Sequence, residues 1–385
     1  MMEIYEPQED SFLLAKNVKK YAYGKTLEIG CGSGIQCFTA IKNTSVKKVL
    51  GVDINKEAIK HCRENIYGLK NIKFRKSDMF SRVFGQYDTI ICNPPYLPND
   101  PRIKDIALDG GKKGYEWTEK FLRKSRRHLS EYGIILLLIS SLTRKDVVEK
   151  LIKENLYDFE LVERQKIDFE ELYVYKLTRN QILSGLKKSG VKKIESFAKG
   201  KRGSIFTGRY RLRKVAIKLQ REDSPSPGSI NNEIEILKKL SGIGIGPKIL
   251  LSGKNWFIYK FAKGDFIEDF VENSKKLKII KVLYNVFDQL YALDRFGVNK
   301  EEMHNPYKHI IIGKDVTLID FERAKKTQKP KNITQFCQYL ISAKFAELLK
   351  SKGINIDRDA LLDAAKVYKH SQNKSNFAKI LNQIK

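Results

Sequence analysis

From residue 26 the chain alternates short apolar runs with amphipathic stretches. TLEIG, KVLGVDI, IKFRKSD, YDTIICN, GIILLLI, FELVER and LYVYKL read as strands, and INKEAIKHCRENIYG and YEWTEKFLRKSRRHL as helices between them. Strands alternating with helices predict an α/β unit with a mostly parallel, doubly wound sheet. The last two strands are close in sequence and predict an antiparallel hairpin at the sheet edge, so this unit is expected to cover residues 1–178. The polar stretch NQILSGLKKSG, capped by Gly190, predicts a linker helix within 179–194. Beyond it the pattern changes. Short strands (IFTGRY, KVAIKLQ), the loop REDSPSPGS, the helix INNEIEILKKL and more strands (PKILLSG, NWFIYKF) precede mainly helical text from about residue 265, broken by the hairpin IIIGKDVTLIDF. A second, α+β unit over 195–385 is expected, in keeping with a length too great for one ordinary domain.

Composition narrows the possibilities. No apolar run approaches the ~20 residues of a membrane span, and the start MMEIYEPQED is acidic, without the apolar core of a secretory signal. Five scattered cysteines with no CxxC pair fit a reducing cytoplasm better than a disulfide framework or zinc knuckle. The net charge of +28 is uneven: residues 1–180 hold 32 Lys/Arg against 25 Asp/Glu, leaving 41 and 20 of the chain's 73 and 45 for the remainder. Such asymmetry points to an acidic neighbour, ribosome or RNA, for the second half.

LEIGCGSG places Gly30, Gly32 and Gly34 directly after a strand, where glycines let the backbone turn tightly and approach a ligand. Asp53, nineteen residues past Gly34, ends the next strand and suits the hydroxyls of a ribose. A dinucleotide would want GxGxxG and amides facing a pyrophosphate. Here the spacing is GxGxG behind Glu28, and Glu28, Asp53 and Asp78 each end a strand, which suits a cationic ligand such as S-adenosylmethionine.

CNPPYLPND follows the fourth strand. Its two prolines stop the strand, because each lacks an N–H and fixes φ. At that strand end, across from the glycine loop, the segment reads as a clamp for a planar –NH2 group. The Asn93 side-chain oxygen and the Pro94 carbonyl would accept its two N–H bonds, Pro95 would set that carbonyl's direction, and Tyr96 would pack on the plane. Orientation of this kind can contribute roughly 7–11 kcal/mol of a barrier, and no general base is obligatory.

On these motifs, with YEPQEDSFLL at 5–14, GVDIN, SDMF and ALDGGKKGYE at 107–116, the first unit resembles the HemK-type methyltransferases that modify the glutamine of the GGQ loop in class 1 release factors, nearest their archaeal and eukaryotic branch. The resemblance implies that Ser11, Glu28, Gly30, Asp53, Asp78 and Met79 contact S-adenosylmethionine, that Asn93 to Tyr96 hold the glutamine amide, and that a class 1 release factor is the substrate. Eukaryotic members work with a small zinc-ribbon activator. The alternative is a nucleic-acid amino-methyltransferase, since NPPY also suits an adenine amine and the basic second half could supply target recognition.

In the second unit, AKGKRGSIFTG puts glycines at 200, 203 and 208, with Ala198 where a GxGxxGxV loop would have its first glycine. VAIK ends in Lys218, Glu233 follows on a helix, and Asp320 in IDFE occupies the place of a magnesium-binding Asp. These motifs resemble the Rio- and Bud32-like atypical kinases over 195–345, with an N-lobe near 195–263 and a C-lobe near 264–385. The resemblance implies ATP held by Gly200, Gly203, Lys218 and Glu233, and magnesium held by Asp320. The catalytic loop departs from HxDxxxxN: aligning His309 on the Asn puts His304 at the Asp position. An active kinase or ATPase and a basic docking module are both compatible with this half.

Overall fold

The computed structural model describes residues 4–66, 68–99, 109–168, 170–199, 203–220 and 229–384, and the chain divides into two units, Met1–Glu195 and Ser196–Lys385. The first unit contains α1 (Glu9–Tyr21), β1 (Gly24–Ile29), α2 (Ile35–Ile41), β2 (Val46–Asp53), α3 (Lys56–Glu64), β3 (Ile72–Lys76), β4 (Tyr87–Cys92), β5 (Leu97–Pro98), β6 (Asp109–Gly111), α4 (Glu116–Ser125), β7 (Leu129–Ser140), α5 (Lys145–Glu154), β8 (Tyr157–Lys166), β9 (Glu171–Arg179) and α6 (Gln181–Lys188). Its sheet runs β3-β2-β1-β4-β7-β9-β8. The first five strands are parallel; β9 is antiparallel to both β7 and β8.

Side chains alternate across the sheet, and both faces are buried. Along β7, Ile135, Leu137 and Ile139 enter one core, while Ile134, Leu136 and Leu138 enter the other. That is why GIILLLI is a continuous apolar run. Helices cover the faces by the same logic: α3 is capped by Asn55, whose side chain accepts from Glu57 N, and buries Ala58, Ile59 and Cys62. The stretch read as a linker forms α6, which buries Leu183 and Leu186 and belongs to the first unit.

The second unit begins in β10 (Lys192–Lys199) and continues through β11 (Gly203–Tyr210), β12 (Arg213–Gln220), α7 (Ser229–Leu240), β13 (Ile249–Gly253) and β14 (Trp256–Lys260), with sheet order β10-β11-β12-β14-β13. There follow β15 (Asp265–Phe266), α8 (Ile267–Glu272), the 21-residue α9 (Lys276–Phe296), β16 (Val298–Asn299), β17 (Ile310–Ile312), β18 (Val316–Leu318), β19 (Lys325–Lys326) and four helices, α10 (Asn332–Leu340), α11 (Ala343–Ser351), α12 (Arg358–His370) and α13 (Lys374–Leu381). The hairpin in IIIGKDVTLIDF is β17–β18. A single core joins α7, α9 and α10–α13. All five cysteines are free and buried. Among the described residues no helix is long and apolar enough to cross a membrane.

Candidate functional site

β1 and β4 are parallel neighbours, with Ile29 beside Cys92, so the glycine loop and the NPPY segment leave the sheet side by side. The chain passes from β1 to β2 on one flank and reaches β4 on the other. Such a reversal opens a crevice at the carboxyl ends of the strands.

Gly30, Gly32 and Gly34 have φ of +77°, +47° and +86°, a region that side-chain-bearing residues rarely adopt. A Cβ on Gly30 would meet nothing within 4 Å, and one on Gly32 only the Tyr5 carbonyl at 4.0 Å. At Gly30 and Gly32 the loop thus presents bare backbone to open space, which fits an S-adenosylmethionine cradle, whereas Gly34 is packed close, a Cβ there meeting Phe38 at 2.7 Å and Cys62 Sγ at 2.9 Å. Asp53 is tied to the loop: its Oδ2 accepts from Gly32 N at 2.9 Å and its Oδ1 from Asn55 N at 2.8 Å.

Glu28 lies deeper. It is 3% exposed, its Oε2 accepts from Cys37 N at 3.0 Å, and burial pushes its carboxyl well above the usual range. It therefore anchors α2 beneath the loop. Asp78 is exposed just after β3, and Met79 is buried at φ +45°, its carbonyl accepting from Ser77 Oγ at 2.9 Å. Ser11 is buried, and its carbonyl accepts from Gln36 Nε2 at 2.9 Å, joining α1 to α2.

Asn93 Nδ2 donates to Asp10 Oδ2 at 2.8 Å, while Asn93 Oδ1 is buried with no hydrogen-bond partner among the described residues. An amide oxygen in that condition carries an unmet demand for a donor. Tyr5 also donates to Asp10 Oδ2, at 3.1 Å. Burial, then the nearby Asp10 charge, pushes the Tyr5 and Tyr96 phenols well above their usual range, so both remain protonated. Pro94 is buried and Pro95 and Tyr96 are half-buried. The Tyr96 side chain packs against the core that includes Leu13, Leu14 and Ile91, while backbone lies close beneath the segment's carbonyls: a Cβ at Gly110 would lie 2.8 Å from Pro95 O, and one at Gly114 2.7 Å from Tyr96 O.

Sequence reasoning missed Asp10, Tyr5 and Gly110 as individual site residues. Asp10 and Tyr5 sit in the YEPQED segment that carried the family resemblance, yet no local spacing marks Asp10 as the partner of a side chain 83 positions away.

In the second unit Lys218 is 6% exposed, and its Nζ lies 2.7 Å from Glu233 Oε2, 2.7 Å from Asp320 Oδ1 and 3.5 Å from Glu322 Oε2. Burial disfavours the ammonium, but these three carboxylates outweigh it and hold Lys218 above its usual range. Burial likewise works against the Asp320 carboxylate, and Lys218 brings it down to about 2. Asp320 has φ +63°, and Glu233 Oε1 accepts from Phe321 N at 2.9 Å. Gly203 begins β11, while Gly200 lies outside the described residues.

In the catalytic loop the structure separates His304 from His309. His304 is exposed, whereas Glu302 Oε2 stands 3.7 Å from His309 Nε2, and His309 Nδ1 is 4.0 Å from Asp320 Oδ2. Glu301 and Glu302, at φ +61° and +58°, turn the chain before His304 is reached, so Glu302 is the side chain brought to this cluster. Buried Lys300 completes it, donating to Asp320 O at 2.9 Å; burial lowers its ammonium to about 8. His309 falls to about 4 through burial and Lys300, which leaves its imidazole neutral near pH 7.

The model of the methyltransferase small domain matches residues 7–169. A Methanocaldococcus jannaschii protein, provisionally named as a protein N5-glutamine methyltransferase, is 41% identical over 179 residues, 45% of this chain and 90% of the relative. The release factor glutamine methyltransferase of Thermodesulfovibrio yellowstonii is 30% identical over 30% of this chain, which spans only 46% of that relative. A solved E. cuniculi Mtq2–Trm112 complex, described as methylating the termination factor eRF1, shows 22% identity and a TM-score of 0.39, covering 46% of this chain and 100% of that one.

Proposed function

Through its first unit this chain belongs to the protein N5-glutamine methyltransferase family, which carries the methyltransferase small domain, and from that premise we propose that it methylates the GGQ glutamine of a class 1 release factor. When bound, S-adenosylmethionine supplies the methyl group, its S–CH3 bond breaking to leave the neutral thioether S-adenosylhomocysteine. Gly30, Gly32 and Gly34 would cradle it, Asp53 would take its ribose, Ser11, Asp78 and Met79 would border it, and Glu28 would brace the loop from below. Asn93 Oδ1 and the Pro94 carbonyl would accept the two N–H bonds of the glutamine amide, turning its delocalised lone pair toward the methyl group. Tyr96 would pack on the amide plane, and the surplus proton leaves to water after transfer.

One atom supports this most directly: Asn93 Oδ1, buried and without a hydrogen-bond partner among the described residues, is an acceptor open to a donor. Tritiated methyl transfer assayed in parallel on release factor, tRNA, ribosomes and DNA tests the reading. Label on the release-factor glutamine, abolished by Asn93→Ala with S-adenosylmethionine binding retained, is the expected result. Label on nucleic acid alone would replace it with an amino-methyltransferase. Higher activity on adding a small zinc-ribbon protein would mark an activator.

For the second unit the Lys218–Glu233–Asp320 cluster favours nucleotide binding, with Lys218 on the phosphates and Asp320 on magnesium. Lys218→Ala and Asp320→Ala should each abolish magnesium-dependent ATP turnover. Steeply salt-dependent ribosome or RNA binding, indifferent to both changes, would mark a docking module instead.

A further inference from the structure

A half-turn about the last torsion of an asparagine exchanges its oxygen for its –NH2, so Asn93 has two faces to offer the crevice. Whichever half is held elsewhere decides the matter. The holder here is Asp10, in the first turn of α1 and 4% exposed. As a carboxylate it only accepts. Its Oδ2 receives Asn93 Nδ2–H at 2.8 Å and the Tyr5 hydroxyl at 3.1 Å, and its Oδ1 receives Ser11 N–H at 2.5 Å. Reversing the Asn93 amide would set oxygen against oxygen at Asp10 and –NH2 toward the substrate's own N–H bonds. Both contacts would repel. The holder is itself braced, because the Ser11 carbonyl is bonded to Gln36 at the start of α2.

We propose that Asp10 is a positioning residue that locks Asn93 in the one amide orientation able to accept from a substrate –NH2. This rests on the methyltransferase reading and adds to it the group that imposes the acceptor. Toward the substrate amide Asp10 acts through Asn93, while its contacts to Tyr5 and Ser11 hold the carboxylate itself in place. A misdirected clamp of this kind lowers the rate of transfer on the order of 100-fold.

Asp10→Asn separates this role from a merely structural one. It keeps size and shape but gives up one acceptor oxygen, so a donor now opposes either Ser11 N–H or the Asn93 –NH2. Expected are a fall of at least about tenfold in methyl transfer to the release factor for both Asp10→Asn and Asp10→Ala, and S-adenosylmethionine affinity within about twofold of wild type. Transfer by Asp10→Asn at the wild-type rate would overturn the proposal. A second measurement needs no substrate. In protein labelled with 15N-asparagine, the side-chain resonance of Asn93, assigned by its loss in Asn93→Ala, should stand apart from the solvent-exposed amides and join them in Asp10→Asn. An unmoved resonance would also overturn the proposal. Wild-type protein that leaves the release factor unlabelled while showing this resonance change would refute the substrate and keep the lock.

Discussion

Gly110 offers a sharp test of how firmly the clamp must be seated. A Cβ there would stand 2.3 Å from Gly114 O and 2.8 Å from Pro95 O. Ordinary contact begins near 3.4 Å, so Gly110→Ala must drive the Pro95 carbonyl back about 0.6 Å and the Gly114 carbonyl about 1.1 Å, at a cost of roughly 1–3 kcal/mol. Asn93 is two residues from the carbonyl that moves. Reacting groups tolerate misplacement of only about 0.5 Å, so transfer to the release factor should fall about 10- to 100-fold. The glycine loop is carried by a different strand, and S-adenosylmethionine affinity should hold within about threefold. Initial rates at saturating donor, with titration calorimetry for the donor, measure both. Gly185→Ala is the control, since a Cβ there meets nothing within 4 Å and lies in a helix, where alanine is favoured by about 0.5–1 kcal/mol. If Gly110→Ala transferred methyl groups as fast as wild type, the backbone floor would not be what aims Asn93.

Two further outcomes are expected. Asp320 has its folded-state carboxyl brought from 3.8 to about 2, so its contribution to stability is complete above about pH 4 and is lost as pH falls toward 2. With 34% of its side chain exposed, that contribution is about 1–2 kcal/mol, and Asp320→Asn should flatten the acid limb of the second unit's unfolding curve; an unchanged limb would show that Asp320 and Lys218 are not coupled. Asp53→Ala removes the acceptor for Gly32 N and Asn55 N; hydrogen bonds to charged groups contribute about 1.5–3 kcal/mol, so S-adenosylmethionine should bind at least about tenfold more weakly, and equal affinity by calorimetry would place the ribose elsewhere.

The strands of the first unit were legible because each is a short apolar run flanked by turn residues, and the continuous apolar β7 announced a sheet buried on both faces. Glycines 30, 32 and 34 were legible for a related reason: their left-handed backbone leaves little choice of residue. What could not be read was juxtaposition. Asp10 and Asn93 meet only because α1 folds back to the ends of β1 and β4, and nothing local in EPQED signals it. Gly110 looked like one glycine among several until the floor beneath Pro95 was in view. Counting residues from His309 reached His304, but counting assumes a regular loop. Two consecutive positive φ angles at Glu301 and Glu302 broke that regularity and brought forward a carboxylate that motif spacing had passed over.

The five enclosed cysteines make the unaltered sequence its own background for thiol labelling. Burial pushes the Cys37 and Cys92 thiols well above their usual range, so a maleimide dye should react first with a cysteine introduced at an exposed site such as Tyr132, which is 80% accessible. Slower modification of the native thiols would then report opening of the fold around them. Four of them lie in the first unit and Cys337 alone in the second, so one alkylation time course, resolved by peptide mass, would give each half its own clock.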